Sequence, residues 1–239
     1  MNHHSIEVAG RPGPRGVPPR PDDPVAGARA DERVGQLAQA AAALMARQGY
    51  HGTSMQDVAA DAGVSVGLIY RYFENKEALL AHVVTGIMGG YLRRLPPAMA
   101  GFDDPVLRLR AGFAAYCEVI DEHRPGALLA YREGKSMPAG VLDRVKELEL
   151  ETTELLADPA RDAVAAGIMR ERVDPFLLAY DLSIFGHMWA LKHWYLTDRI
   201  TLAAYIDQQF ALCMSGAIDA EHELGYRHVM SPSAIGGNA

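Results

Sequence analysis

Residues 53–80, TSMQDVAADAGVSVGLIYRYFENKEALL, contain the clearest helix start and stop signals in this 239-residue sequence. Hydroxyl side chains at Thr53 and Ser54 can cap a helix whose apolar residues recur at i, i+3, i+4 and i+7. Gly63 can adopt the left-handed backbone of a tight turn, and Ser65 can cap the helix that follows. Two helices joined by so short a turn predict a helix-turn-helix, the unit whose second helix enters the major groove of DNA.

The second helix, Val66 to Phe73, has an outward face that a purely structural helix would not need. Leu68, Ile69 and either of two terminal aromatic residues can pack inward. The residues left to face outward are Ser65, Gly67, Tyr70 and Arg71. A glycine in the first turn costs about 1 kcal/mol relative to alanine, which favours close approach of another molecule there. Tyrosine and arginine can bind phosphate oxygens, and arginine can also bind guanine.

A third helix begins at Lys76, because Asn75 is a good N-cap and an apolar pattern continues to about Leu92. A lysine beside a helix N-terminus is a second means of binding phosphate. A lone glycine turn also occurs in ordinary helical bundles, where Arg71 and Lys76 would be solvated charges and Tyr72 a core residue. Only the three helices taken together therefore distinguish a DNA-binding domain from an ordinary helical bundle.

Together they resemble the N-terminal DNA-binding domain of the TetR/AcrR family of transcriptional regulators. The matching pieces, in order, are the hydroxyl pair, the DVAADAGVS turn, the YRYF end of the second helix and the NKEALL start of the next. Val66 stands where many members have Lys, and Leu68 where they have Thr or Ala. Val66 can still contact a thymine methyl group. The predicted DNA contacts are Thr53, Ser54, Ser65, Val66, Gly67, Tyr70, Arg71, Tyr72 and Lys76.

The charge distribution supplies no general attraction to DNA. The chain has a net charge of −7, and its first 90 residues carry eight Lys and Arg against nine Asp and Glu. Binding must then depend on a local patch, assisted by helix N-termini, and should show a modest salt dependence. The candidate cations are Arg33, Arg47, Arg71 and Lys76.

Composition favours a helical protein of the cytoplasm. Hydrophobic residues make up 49% of the chain, which is enough for a substantial core. No apolar run approaches the roughly 18 residues of a membrane span, and no signal-peptide pattern is present, so we expect no membrane association. Cys117 and Cys213 lie in apolar stretches and are expected to be reduced thiols, with a redox sensor as the alternative.

Residues 1–27 are rich in proline and lack apolar periodicity, which predicts a disordered arm. Arg11 and Arg15 in this arm could reach into a minor groove, or the arm could be a tail without a role. His3 and His4 are too few for a metal site. The next helix should span residues 28–48.

The rest of the chain also predicts helices. They are expected at about 105–123, 125–134, 139–167 (with a possible bend at Pro159), 175–196 and 202–223, after a stop at Leu95-Pro96-Pro97. The fold class is therefore all-α: a helix-turn-helix domain at 28–75, a helical ligand-binding and dimerisation domain at 76–224, and a tail at 225–239.

The last two long helices, FLLAYDLSIFGHMWALKHWYL and TLAAYIDQQFALCMSGAI, are apolar on most sides. In the resembled family, the corresponding helices form the homodimer interface, which implies the same here. Burial within one chain is the alternative.

A small-molecule effector is expected between the helices of the second domain. Its candidate contacts are Tyr131, Arg132, Lys135, His187, Trp189, Lys192 and His193, together with Trp194. Aromatic residues beside several cations suggest a ligand with an apolar body and an anionic head. The segments AYREGKSM and HMWALKHW also resemble the acyl-CoA-sensing branch of the family, although each residue could equally belong to the core or the surface.

Other functions leave no signature. The sequence contains no Walker loop, dinucleotide-binding glycine pattern, Cys-x-x-Cys pair or nucleophile elbow, and no Glu has a His three residues later, as a di-iron bundle requires. We therefore expect no enzyme activity, no cofactor and no metal. The remaining alternative is a DNA-binding protein that responds to no ligand.

Overall fold

The computed structural model describes residues 24–137 and 139–230. Within these ranges the chain forms eleven α-helices and no β-strand, which confirms the predicted all-α class. The helices are α1 Pro24–Gln48, α2 Met55–Asp61, α3 Val66–Tyr72, α4 Lys76–Met99, α5 Pro105–Glu122, α6 Arg124–Glu133, α7 Ala139–Ala165, α8 Pro175–Leu191, α9 His193–Leu196, α10 Leu202–Ala217 and α11 Arg227–Met230. A 3-10 turn, Gly134–Ser136, follows α6.

Helices α2 and α3 are set by side-chain caps and one glycine. The Ser54 hydroxyl accepts a hydrogen bond from the Asp57 amide (3.1 Å), and the Asp57 carboxylate accepts one from the Ser54 amide (2.8 Å), which forms a capping box. Gly63 has φ = +65°, a conformation that L-residues with side chains rarely adopt. Ser65 caps α3 by accepting from the Leu68 amide (3.2 Å). Both helices and the turn between them follow the prediction.

A helical bundle is formed by α4, α5, α7, α8 and α10. Its core surrounds fully buried aromatic and aliphatic side chains, including those of Tyr91, Phe113, Leu156 and Phe210. The other core joins α1–α4 but also takes in Leu129 of α6 and Met137. Because α4 contributes to both cores, it connects the first three helices to the bundle.

The first helix begins earlier than expected. It starts at Pro24, so residues 24–27 are helical and do not belong to a disordered arm. Proline fits the first turn of a helix because it lacks only an amide that has no partner there. The remainder of the predicted arm, with Arg11 and Arg15, lies outside the described residues.

The predicted stop at Leu95-Pro96-Pro97 is wrong, because α4 continues through both prolines to Met99. The two prolines lie on the exposed side of the helix, whereas Leu95 and Met99 are buried in the core. Proline in a helix interior costs about 3 kcal/mol, and burial of two large side chains is of comparable size. Packing therefore overrides the local signal.

The chain after α8 also departs from the prediction. A turn at Lys192 separates α8 from the short helix α9. Helix α10 ends at Ala217 instead of Glu223, because Ile218 is extended and pairs with Met169 in an isolated antiparallel bridge. The predicted tail contains α11, whose Val229 is buried in the bundle core. Tyr226 just before it donates a hydrogen bond to Asp104 (2.6 Å).

Candidate nucleic-acid interface and effector cavity

Helix α3 presents the predicted outward face. Ile69 is fully buried and Phe73 almost so, which fixes the rotation of the helix on its core. The exposed residues of the segment are Ser65, Gly67, Tyr70 and Arg71, while Val66, Leu68 and Tyr72 are half-buried. Of the two aromatic residues that could pack inward, Phe73 is the one that is buried.

Gly67 has no structural explanation within the fold. A Cβ atom added at this residue would meet no heavy atom within 4 Å, and its φ angle is not positive. Neither packing nor backbone strain therefore requires glycine. Close approach of a molecule from outside remains the reason that the sequence suggested.

A surface groove of about 430 Å³ lies beside Tyr70. Its walls come from the start of α2, the end of α3 and the start of α4, so that Ser54, Tyr70 and Asn75 face one space. Amide groups at helix N-termini attract anions, and a tyrosine hydroxyl can donate to them. The groove is suited to a phosphate group, although the carboxylate of Glu74 also lies on its wall.

Thr53 and Lys76 have structural partners that the sequence did not reveal. The Thr53 hydroxyl donates to the Gly49 carbonyl (2.8 Å), and the residue is 2% exposed, so little of it is accessible at the edge of the groove beside Tyr70. The Lys76 ammonium donates to the carbonyls of Tyr50 and Thr53 (2.9 Å each) and lies 4.4 Å from the Tyr50 ring centroid. It thus holds the turn before α2 against the start of α4. Arg47 pairs with Asp61 (2.9 Å).

A cavity of about 190 Å³ lies between α4, α6, α7 and α8. Most of its lining is apolar, with aliphatic side chains such as Val84, Ile87 and Met88 from α4 and Leu142 and Val145 from α7. Two predicted effector contacts, Tyr131 and His187, face it. Cavities of this kind bind small molecules in helical bundles.

His187 joins two tyrosines at the polar end of this cavity. Its Nδ1 is 2.6 Å from the Tyr131 hydroxyl oxygen and its Nε2 is 2.8 Å from that of Tyr116. Burial lowers the pKa of His187 to about 4 and raises the pKa of Tyr116 well above its usual value. The imidazole is therefore neutral near pH 7, so it donates to one tyrosine and accepts from the other.

Sequence reasoning missed two polar residues of the cavity, Tyr91 and Glu149. Tyr91 is 1% exposed and its ring is stacked on that of Tyr116, with centroids 4.2 Å apart. The Glu149 carboxylate accepts a hydrogen bond from the Tyr180 hydroxyl (2.7 Å). Tyr91 follows the apolar period of α4 with Ile87 and Leu95, so the sequence pattern indicates only an ordinary core aromatic.

The other predicted effector contacts do not line this cavity. Trp189 is buried on another side of α8 and donates to Asp121 (2.7 Å). A guanidinium nitrogen of Arg124 lies 2.8 Å from Nδ1 of His193. Burial, and to a smaller extent the positive charge of Arg124, lowers the pKa of His193. The residues with exposed side chains are Arg132, Lys135, Lys192 and Trp194.

A larger concavity, of about 670 Å³, lies between α1, α4 and the corner joining α5 to α6. It includes charged and titratable side chains, among them Arg93, Glu122 and His123. Ile87 lines both this concavity and the smaller cavity, so the two spaces are neighbours.

Helix α8 buries one side in the bundle and leaves the other uncovered. Leu178, Leu182 and Trp189 are buried. The exposed large apolar side chains of this region are Leu177, Ile184, Met188 and Leu191 on α8, Trp194 and Tyr195 on α9, and Leu212 on α10. Single exposed apolar side chains need no explanation, but Leu177, Ile184, Met188 and Leu191 share one side of α8, and such grouping favours contact with another molecule. In the described part of the chain, no helix has the length and hydrophobicity needed to cross a membrane.

Comparison with known proteins identifies the class. Residues 37–83 match the family of bacterial regulatory proteins named tetR, and residues 103–217 match a tetracyclin repressor-like C-terminal domain. The HTH-type transcriptional regulator HbdR of Aromatoleum sp. (strain CIB) is 36% identical over 191 residues, which cover 80% of this chain and 83% of that protein. The chain therefore belongs to the TetR family of DNA-binding transcriptional regulators, which are not enzymes.

Two further relatives extend the comparison. The fatty acid metabolism regulator protein of Bacillus subtilis (strain 168) is 38% identical over 183 residues, 76% of this chain and 93% of that protein. The solved structure of AibR in complex with isovaleryl coenzyme A and operator DNA has a TM-score of 0.64 and 22% identity, covering 77% of this chain and 97% of that one. The second likeness shows a common fold.

Proposed function

We propose that this chain is a cytoplasmic repressor that binds an inverted-repeat operator as a homodimer and is released by a small hydrophobic or acyl-CoA-like effector. The observation that carries the DNA-binding part is the open face of α3. Gly67, Tyr70 and Arg71 are exposed on one side of this helix, and Ile69 locks the opposite side. The groove beside Tyr70 is lined by the N-termini of two other helices, α2 and α4. This face has the shape and donor groups of a major-groove probe.

Each exposed residue has a distinct role in this proposal. Tyr70 binds a backbone phosphate at the groove, and Arg71 binds phosphate or guanine. Ser54 contributes by capping α2, because the Asp57 carboxylate accepts from both its amide and its hydroxyl. Gly67 lets the DNA backbone or a base edge approach α3 closely, while Val66 contacts a thymine methyl group. Lys76 contributes chiefly by holding the α2 start in place, since two carbonyls already accept its protons.

The exposed apolar side chains of α8 and α10 support a homodimer. A second copy of the same surface would cover them in a symmetric interface. Such a dimer is also what a duplex reader requires, because two recognition helices must lie about 34–36 Å apart to enter successive major grooves. The interface would keep that spacing fixed.

The effector is assigned to the cavity between α4, α6, α7 and α8. Helix α4 lines this cavity and starts three residues after Phe73, which anchors α3. Helix α6 lines it too, and near its end Glu133 lies 3.5 Å from His51 in the turn before α2. An effector that binds better when α4 and α6 are displaced would favour a dimer conformation in which the distance between the two α3 helices no longer matches the operator. Its effect is limited by the difference between its affinities for the two states.

An acyl-CoA-like ligand fits the pair of neighbouring cavities. The smaller cavity accepts an apolar group, and the larger concavity beyond Ile87 offers the Arg93 cation to a charged remainder, although the Glu122 carboxylate lies on the same wall. The solved structure with isovaleryl coenzyme A belongs to a protein of the same fold, which supports this ligand class.

Selection of bound sites from random duplexes tests the DNA-binding proposal. The full chain should enrich an inverted repeat whose half-sites lie about one helical turn apart. A variant with Ile184→Asp and Leu212→Asp should be monomeric by sedimentation and should lose the repeat. A monomeric wild-type protein without preference among duplexes at low ionic strength would contradict the proposal.

A thermal-shift panel of acyl-CoA thioesters separates the sensor from a ligand-independent DNA-binding protein. A ligand present at 100 times its dissociation constant adds about 2.7 kcal/mol to the free energy of unfolding. Uniform failure of the panel, combined with intact operator binding, would favour the ligand-independent protein.

A further inference from the structure

His51 lies where the groove beside Tyr70 meets the end of α6. It belongs to the turn before α2 and lines that groove, and its side chain is 78% exposed. Its Nε2 is 3.5 Å from a carboxylate oxygen of Glu133 on α6. Its ring stands nearly perpendicular to that of the buried Tyr50, with centroids 5.2 Å apart. Two neighbours thus hold the imidazole, while most of it stays accessible.

Without this histidine the groove has no surplus of positive charge. Among the described residues that line it, the other charged ones are Glu74 and Lys76, whose charges cancel. The Lys76 ammonium also donates to two backbone carbonyls, so part of its capacity to bind a phosphate is already used. Protonation of His51 therefore decides whether the groove is neutral or positive.

A protonated imidazole can bridge Glu133 and a phosphate. It carries an N–H donor on each ring nitrogen, so a ring whose Nε2 faces Glu133 can donate from Nδ1 to a second acceptor. A phosphate that binds the Tyr70 hydroxyl in the groove lies in the space that His51 also faces. Two carboxylates, those of Glu77 and Glu133, act electrostatically on the neighbouring Tyr50 hydroxyl. Their negative charge favours a cation at this turn.

We propose that His51 in its protonated form is a further phosphate contact of the DNA-binding domain, and that Glu133 is its positioning residue. Operator binding then takes up a proton in each subunit, so the affinity rises as the pH falls through the range in which histidines become charged. Because Glu133 belongs to α6, displacement of this helix would also withdraw the support of His51. The inference rests on the DNA-binding part of the proposed function and adds a residue and a proton to it.

The test measures operator affinity of the full chain by fluorescence anisotropy at pH 6.0 and 8.0 and constant ionic strength. The wild type should bind about three- to tenfold more tightly at pH 6.0, since each subunit gains one exposed charge-assisted contact. His51→Gln should bind at pH 8.0 nearly as well as the wild type and lose most of the difference. His228→Gln, at an exposed histidine of α11, is the control and should keep it. An equal pH difference in the wild type and His51→Gln overturns the inference.

Other histidines contribute less to this difference, because their pKa values lie below the usual range and they are less protonated than usual at pH 6.0. They are His82, His123, His187 and His193.

The salt dependence distinguishes a phosphate contact from a structural role. Each neutralised phosphate adds about 0.9 to the magnitude of the slope of log affinity against log salt concentration. The wild-type slope should be steeper at pH 6.0 than at pH 8.0 by up to about 0.9 for each subunit, and the slope of His51→Gln should not change with pH. A wild-type slope that is independent of pH overturns the inference.

His51→Arg provides a rescue, because arginine keeps its positive charge at both pH values. This variant should bind at pH 8.0 at least as tightly as the wild type does at pH 6.0, and its affinity should not depend on pH. Weaker binding by His51→Arg than by His51→Gln at pH 8.0 contradicts a phosphate contact at this residue.

Glu133→Gln tests the positioning role. The amide keeps the shape of the side chain but removes the charge that favours the imidazolium, so the pH difference should become smaller. Glu171→Gln makes the same change of charge at an exposed residue after α7 and should leave the difference intact. An unchanged difference in Glu133→Gln overturns the role of Glu133. If the wild-type protein binds its operator equally well at pH 6.0 and 8.0, the inference fails and the DNA-binding proposal stands.

Discussion

The face of α3 and the effector cavity are built in opposite ways. The α3 face depends on residues close together in sequence, since Ser54, Gly63 and Ser65 each act on a backbone group within a few residues. The cavity depends on four helices, and the contacts of His187 reach back to Tyr131 and Tyr116. Local signals can be found in a sequence, whereas a cavity exists only once distant helices are packed. The first site is therefore the more predictable of the two.

The two sites differ equally in their electrostatics. The outward residues of α3 are exposed to solvent, whereas burial perturbs the pKa values of Tyr91, Tyr116 and His187 in the cavity. The cavity should consequently respond to pH and to small changes in packing. The α3 face should respond to changes in its own donors and caps.

The largest expected effect is the pH dependence due to His187. Its pKa is about 4 in the folded chain and near 6.5 when unfolded, so the unfolded state binds the proton first as the pH falls. The free energy of unfolding should be greatest above pH 6.5 and decrease by up to roughly 3 kcal/mol between pH 6.5 and 4. Urea unfolding at several pH values measures this loss.

His187→Gln isolates that contribution. The slope between pH 6.5 and 4 should become shallower in the variant, with a remainder from His82, His123 and His193, whose pKa values burial also lowers. An identical slope in both proteins would exclude His187 as the source.

Gly186→Ala should have the next largest effect. A Cβ atom at this residue would lie 2.7 Å from Cδ1 of Tyr116, which is too close for any side chain. Overpacking of this kind costs about 1–3 kcal/mol, and displacement of Tyr116 should also weaken effector binding. Denaturant unfolding measures the first effect. Gly86→Ala in α4 is the control, because its added methyl meets no atom within 4 Å. Equal stability in the two variants would contradict the close contact.

The sequence predicted the all-α class, the caps and turn of the helix-turn-helix, and the exposed side of α3, because each follows from neighbouring residues. It failed where tertiary packing decides. Burial of Leu95 and Met99 carries α4 through its prolines, and the bridge at Ile218 shortens α10. The sequence indicates a phosphate ligand at Lys76, whereas in the structure its ammonium group donates to two backbone carbonyls. The spacing of the predicted effector-binding cations in the sequence does not indicate whether any of them lines a cavity.

Arg71→Ala tests the contact assigned to the exposed side of α3. Operator affinity should fall about tenfold, since one arginine contact to phosphate or guanine is lost, while stability changes little because the side chain is exposed. Fluorescence anisotropy with a labelled operator gives the affinity. Arg161→Ala makes the same change of charge on exposed α7 and should leave binding nearly unaffected. A comparable loss in both variants would indicate a general effect of net charge.

Ser65→Ala should cost about 1 kcal/mol of unfolding free energy, because the Leu68 amide loses its capping acceptor. Helix α3 should unfold locally before the rest of the chain, so hydrogen exchange at the Leu68 amide should accelerate. Ser215→Ala is the control, because the exposed Ser215 hydroxyl donates to the Leu212 carbonyl and caps no helix. This variant should change the free energy of unfolding by much less. Loss of the same size in both variants would mean that the cap does not set the start of α3.

Gly67→Ala should have the smallest effect on stability and the opposite sign. Alanine has the higher helix propensity and its methyl group meets no atom within 4 Å, so the free energy of unfolding should rise by less than about 1 kcal/mol. Operator affinity should nevertheless fall a few-fold, because the methyl group occupies the space that the DNA needs. Gly86→Ala should gain similar stability without loss of binding, which parallel thermal melts and anisotropy titrations can establish. If Gly67→Ala binds the operator as well as the wild type, close approach at Gly67 is not part of recognition, and this glycine has no role that α3 itself explains.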